Sequence, residues 1–268
     1  MKQLHALQRK IDDLRFRGFG GSAIQLHRSM YQIKLSRINL LGSLALPALF
    51  TIVLLCLLSP ILALWRGLFE FWLPRIAPLG SVALRQVDLG AYYLELPFPL
   101  IPAGEPGNQL WWITLAGCLV ALLATFLVSR DRFLPLQYIV RACLLVQATA
   151  LIFFHYLPGE FPYDSARYLG DALTMALIFL FMMPWGLGAT YYVFGFSLWR
   201  KVGLTVCTLA YFVVAFPMQY LLHAYVLHHL TLLFLPLLYL VFGIFMDVMM
   251  FVALYSWGMS WGRADARA

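Results

Sequence analysis

Residues Val202 to Met246 read VGLTVCTLAYFVVAFPMQYLLHAYVLHHLTLLFLPLLYLVFGIFM, forty-five residues without one Asp, Glu, Lys or Arg. Wound as a single helix the stretch is about 68 Å long at 1.5 Å per residue, more than twice the roughly 30 Å hydrocarbon core of a bilayer. It therefore predicts two membrane crossings with a turn between them. The most polar point near its middle is His223 to Thr231, so the crossings are expected at about 202–222 and 231–257. The motif HAYVLHH, His223 to His229, is then expected at a membrane surface.

The same reasoning extends outward. Ile38 to Trp65, Pro106 to Ser129 and Ala172 to Trp199 carry no charged residue, and Phe133 to Gly159 is interrupted only by Arg141. These runs predict further spans at about 40–65, 111–128, 135–157 and 170–199. The fold class expected is an all-α polytopic integral membrane protein with six transmembrane helices. Composition agrees: 62% of the residues are hydrophobic and 12% charged, against about 45–50% and 25% in soluble domains. The chain divides into a basic arm (1–37), the membrane domain (38–262, with an outer loop at 66–109) and a short tail (263–268). No short apolar run with a small-residue cleavage site precedes Ile38, so a removed signal peptide is not expected.

Six crossings put both termini on one side, and Lys and Arg counts in the flanking segments choose it. With the termini cytoplasmic, fourteen basic and four acidic residues lie inside, and four basic and seven acidic residues lie outside. The formal net charge of +7 thus reflects membrane orientation and attraction to anionic inner-leaflet lipids. No nucleic-acid motif accompanies it, so no nucleic-acid partner is expected. In the arm, Leu4, Leu7, Ile11 and Leu14 recur at helical spacing, an amphipathic surface helix or a docking helix for a partner. GFGG, Gly18 to Gly21, breaks that helix and lacks the pattern of a nucleotide loop. The four cysteines all fall in apolar runs and read as packing residues.

Between the first two spans, RGLFEFWLPRIAPLG (Arg66 to Gly80) reads as an interfacial helix. AYYLELPFPLIPAGEPGN (Ala91 to Asn108) carries Pro97, Pro99, Pro102 and Pro106 and is expected to run extended as a ledge or lid.

Three sets of residues are candidates for chemistry. Asp247, near the middle of the sixth span, needs a partner, because a carboxylate there costs about 2.5–3.5 kcal/mol; Arg141 is the cation expected to pair with it. Pro184, Gly186 and Gly188 in FMMPWGLGATYY predict a break in the fourth span. His155, His223, His228 and His229, with Asp164 nearby, share the outer face, where they could hold a metal or haem or act as acid and base. Against that, His228 and His229 stand about 140° and 120° from His223 on a continuous helix, so the three splay apart. The reading favoured is interfacial histidines without a cofactor. His155 and His223 are the pair expected to converge if any does.

The functional expectation is a non-catalytic multi-pass component of a larger envelope-associated assembly, with a membrane-protein partner. It acts through the outer loop and the basic arm in a bacterial inner membrane. One alternative is a membrane enzyme with an outward-facing His/Asp site. The other is a small transporter or channel subunit built on Asp247 and the broken fourth helix.

Overall fold

The computed structural model describes residues 37–88, 93–127, 130–191 and 198–264, so the basic arm and the end of the tail lie outside the described residues. The chain is mostly helical. Its first two helices, α1 (Arg37–Cys56) and α2 (Leu58–Ile76), meet at a 57° bend. The cause is local: Pro60 lacks the N–H that would close the helical ladder onto Cys56, and the chain turns at Leu57. Helix therefore continues to Ile76, well past the end expected at 65.

The segment beyond departs from the all-α expectation. β1 (Ser81–Asp88) and β2 (Tyr93–Leu100) form an antiparallel hairpin, with Leu84 opposite Pro97 and Val82 opposite Pro99. The proline-rich stretch is extended, as its sequence demands, yet it is paired. Prolines without an N–H are tolerated there because they fall in the pairs that exchange no hydrogen bonds.

Four long helices follow: α3 (Asn108–Leu127), α4 (Arg130–Tyr156, kinked at Phe133), α5 (Ser165–Thr190) and α6 (Leu198–Leu230). α6 runs 33 residues without interruption, so the turn lies at Thr231 and not at His223. The chain returns through α7 (Leu235–Tyr239), a π-helical turn (Leu240–Phe245) and α8 (Met246–Ala264). Five helices are long and apolar enough to cross a membrane, and six if the bent pair α1–α2 counts as one span.

The core is a spine of α5 and α6. Leu169, Leu173, Leu180 and Leu187 of α5 are fully buried, as are Leu204, Phe216 and Leu227 of α6, with Trp65 and Phe69 of α2 against them. In lipid, where burying leucine against leucine gains little over leucine against acyl chain, helices are held by close packing and directed hydrogen bonds. Indole N–H groups supply three such ties. Trp65 donates to the Val213 carbonyl at 2.8 Å, Trp111 to the Leu151 carbonyl at 2.9 Å and Trp185 to Thr51 Oγ1 at 3.1 Å.

Pro184, Gly186 and Gly188 do not break the fourth span; α5 stays helical through all three. A side chain at Gly188 would stand 2.2 Å from Pro47 Cγ and 2.9 Å from the Ser43 carbonyl, and one at Gly186 would stand 3.2 Å from Phe251. These glycines admit α1 and α8 to the surface of α5.

Gly188→Ala is expected to lower stability by about 1–3 kcal/mol through overpacking. Gly67→Ala, with nothing within 4 Å of the added methyl, should be neutral or stabilising; thermal melts in detergent compare the two. Thr231 holds φ 61° and ψ −175°, a region that costs a non-glycine residue about 1–3 kcal/mol, and its hydroxyl is buried without a partner. Thr231→Gly should accordingly raise the melting temperature, and a lower one would mean that the turn is not strained.

Candidate functional site

The break that sequence placed in the fourth span occurs in the last one. Gly243 leaves the helical region (φ −96°, ψ −121°) and the ladder opens into a π turn, with the Phe242 carbonyl beside the opening. Two side chains of α6 take it: Gln219 Nε2 donates at 2.8 Å, and His223 Nε2 lies at 3.1 Å. Four residues apart on one helix, Gln219 and His223 share a face and reach one acceptor. A carbonyl only accepts, so His223 Nε2 carries the proton, and in the neutral ring Nδ1 then accepts from the Tyr168 hydroxyl at 3.0 Å. The chain of donors runs from Tyr168 on α5 through His223 on α6 to the backbone of the broken span.

Around this line the packing is aromatic and closed. Tyr168 stacks on His223, Tyr220 meets it edge-on at 5.2 Å between ring centres, and Tyr239 lies 6.3 Å from Tyr168. Asp247 lies one turn beyond Gly243. His223 is 1% exposed and Asp247 4%. The site thus gathers Tyr168, Gln219, Tyr220 and His223 beside the break, with Asp247 one turn on, inside the bundle of apolar helices, where a buried ionisable group marks function or a structural clamp.

Arg141 is elsewhere. Its guanidinium donates to Thr125 Oγ1 at 3.1 Å and to the Thr125 carbonyl at 3.5 Å, and it lies 4.6 Å over the Phe126 ring. It caps the C-terminal turn of α3, where unsatisfied carbonyls attract a cation. No ion pair joins it to Asp247. The pairing expected from sequence gives way because the end of α3 takes the guanidinium.

The histidines do not gather. His155 packs its ring 5.0 Å from Trp111, His223 is inside, and only His228 and His229 adjoin, at 5.0 Å, with His229 against Tyr225. His155 and His223, the pair expected to converge if any did, have separate aromatic neighbours. Asp164 serves as the N-cap of α5, its carboxylate accepting from the Arg167 N–H at 2.6 Å. Among the described residues no group of three His, Cys, Asp or Glu side chains is placed to hold a metal ion.

Sequence reasoning missed Tyr168, Gln219 and Gly243. The signal for one pair was present, since QYLLH spaces Gln219 and His223 by one helical turn. Comparison of the chain with protein-family models, curated proteins and solved structures gives no match.

Double-mutant cycles separate these contacts. Asp247→Asn and Arg141→Gln should be additive within about 0.3–0.5 kcal/mol, whereas Tyr168→Phe and His223→Phe should couple by about 0.5 kcal/mol or more. Coupling in the first cycle, or additivity in the second, contradicts the arrangement described.

Proposed function

We propose that the chain is a non-catalytic multi-pass component of a larger envelope-associated assembly, set in a bacterial inner membrane. Its termini are cytoplasmic, its basic arm rests on anionic lipid, and its β-hairpin is the docking element on the other side. The charge asymmetry of the connecting segments supports the orientation.

The observation that carries the reading is how firmly the hairpin is built onto the bundle. β2 packs on α2, α5 and α6, with Leu96 and Phe98 buried. The carbonyl of Ile101 just after it accepts from Ser165 Oγ at 2.7 Å, and Arg85 of β1 pairs with Asp171 of α5 at 2.6 Å. An added side chain at Gly170 would stand 2.8 Å from the Arg85 guanidinium, so the arginine lies flat on the start of α5. A connector between spans needs none of this, whereas a platform that positions a strand does.

A second reading, a small transporter or channel subunit, is favoured by Asp247 and His223 beside the break at Gly243, because broken spans with buried polar groups at membrane depth line ion and substrate sites. The enzyme reading has the least support: Asp164 is engaged as a helix cap, and His155 and His223 have separate neighbours.

The assembly reading is tested by a photo-crosslinking residue at Gln86 on the hairpin, compared with one at Leu123, an exposed position of α3. Adducts with a protein chain are expected at Gln86 and lipid adducts at Leu123. A chain that migrates alone at its 30.5 kDa in native extracts, with no hairpin adduct, would sink the proposal. Proton or ion flux in liposomes that disappears with Asp247→Asn would establish the second reading in its place.

A further inference from the structure

The hairpin has two edges, and they differ. On β2, Pro97 and Pro99 remove two of the donors that face away from β1, and Leu96 to Pro99 are buried against the bundle. On β1, because Val82 and Leu84 stand opposite those prolines in pairs that exchange no hydrogen bonds, the N–H and C=O groups of Val82, Leu84 and Gln86 point away from β2. Among the described residues no hydrogen bond from another element reaches them.

Natural edge strands are usually guarded by proline, lysine, a bulge or shortness. β1 has eight residues, no proline and no lysine. Its one arginine is turned onto Asp171, and Leu84, in the middle of the strand, is 50% exposed.

We infer that β1 pairs antiparallel, edge to edge, with β1 of a second copy of this chain, centred on Leu84, to give a four-stranded sheet across a two-fold dimer. The inference rests on the reading of the hairpin as the docking element. Self-pairing follows from the register. A two-fold antiparallel pairing can be centred on a residue whose backbone groups face outward or on the residue between two such. The middle of the strand falls at Leu84 and Arg85; centring on Arg85 would set that arginine against its own copy, like charge against like, whereas centring on Leu84 pairs all of Ser81 to Val87 without that clash.

In that register Leu84 faces Leu84 of the other copy, Val82 faces Gln86, Ala83 faces Arg85 and Ser81 faces Val87. Each copy brings one charge to this stretch, and neither meets a like charge. The two half-exposed leucines cover each other at the centre. A hairpin alone is marginal, and four strands make a sheet of ordinary size.

The test uses the full chain in lipid nanodiscs or mild detergent. Across an outward-facing antiparallel pair the Leu84 Cα atoms stand about 5.5 Å apart, within the roughly 4.4–6.8 Å span of a disulfide. Leu84→Cys should therefore give a covalent dimer on mild oxidation, with the parent chain oxidised in parallel as control. Gln86→Cys, whose copies lie about 14 Å apart along the strands, should give at least ten-fold less. Leu84→Pro removes only an outward N–H, as Pro97 does on β2, so it should abolish the dimer while leaving the melting profile of the bundle unchanged.

A dimer that survives Leu84→Pro, or equal crosslinking at positions 84 and 86, overturns the inference. A monomeric parent whose hairpin still forms adducts with a different protein also overturns it and leaves the assembly reading standing. A monomeric parent with no hairpin adduct removes both.

Discussion

The carbonyl of Phe242 is the group on which the architecture turns. It sits beside the opening of the last span at Gly243, and in an apolar medium without water a backbone group left unsatisfied costs several kcal/mol. Only protein can satisfy it, and α6 does so with Gln219 and His223. Meeting that need keeps α6 helical past His223, draws the Tyr168 hydroxyl of α5 onto the imidazole, and brings three spans to one point. A histidine that sequence alone assigns to a wet turn is thereby buried with both ring nitrogens occupied.

The same rule governs the charged side chains, which gather at helix ends more than in mid-span. Arg141 closes the end of α3 and Asp164 the start of α5. Lys201, 8% exposed, donates to the Tyr191 carbonyl at 2.8 Å just after α5, while the Tyr191 hydroxyl returns to the Lys201 carbonyl at 3.1 Å. Helix termini leave carbonyls and N–H groups without partners, and a cation or carboxylate placed there meets two demands, its own and the backbone's. Asp247 is the exception, 4% exposed inside the bundle one turn beyond Gly243.

Function and stability are separated along the long axis of the bundle. The spine of α5 and α6, the indole ties and the glycine contact at Gly188 hold the spans together. The hairpin divides the two tasks. β2 gives Leu96 and Phe98 to the core, whereas no residue of β1 from Ser81 to Val87 is buried, and its ion pair, Arg85 with Asp171, is more than a third exposed on both sides, a kind of pair worth about 0–1 kcal/mol.

How much of this was legible in the sequence follows from the range of each interaction. Charge-free runs of twenty or more residues decide that a helix crosses a bilayer without reference to any other part of the chain, so the apolar helices and their approximate places could be read directly. A proline-rich stretch decides that backbone is extended but not what it pairs with, and the hairpin needed β1 to be brought alongside. Pro184, Gly186 and Gly188 carry the local signature of a broken helix. They remain helical because α1 and α8 fill the space the glycines leave, contacts with segments far along the chain that no local pattern encodes. Asp247 and Arg141 are complementary charges with no local preference between pairing and separation. Packing chose separation, because Arg141 closes the end of α3 on Thr125. Sequence determined which segments are apolar enough to enter a membrane, because hydrophobicity is a property of each segment alone. Tertiary structure decided which polar groups meet, because Tyr168, His223 and the Phe242 carbonyl stand on three different helices and find one another only when these pack.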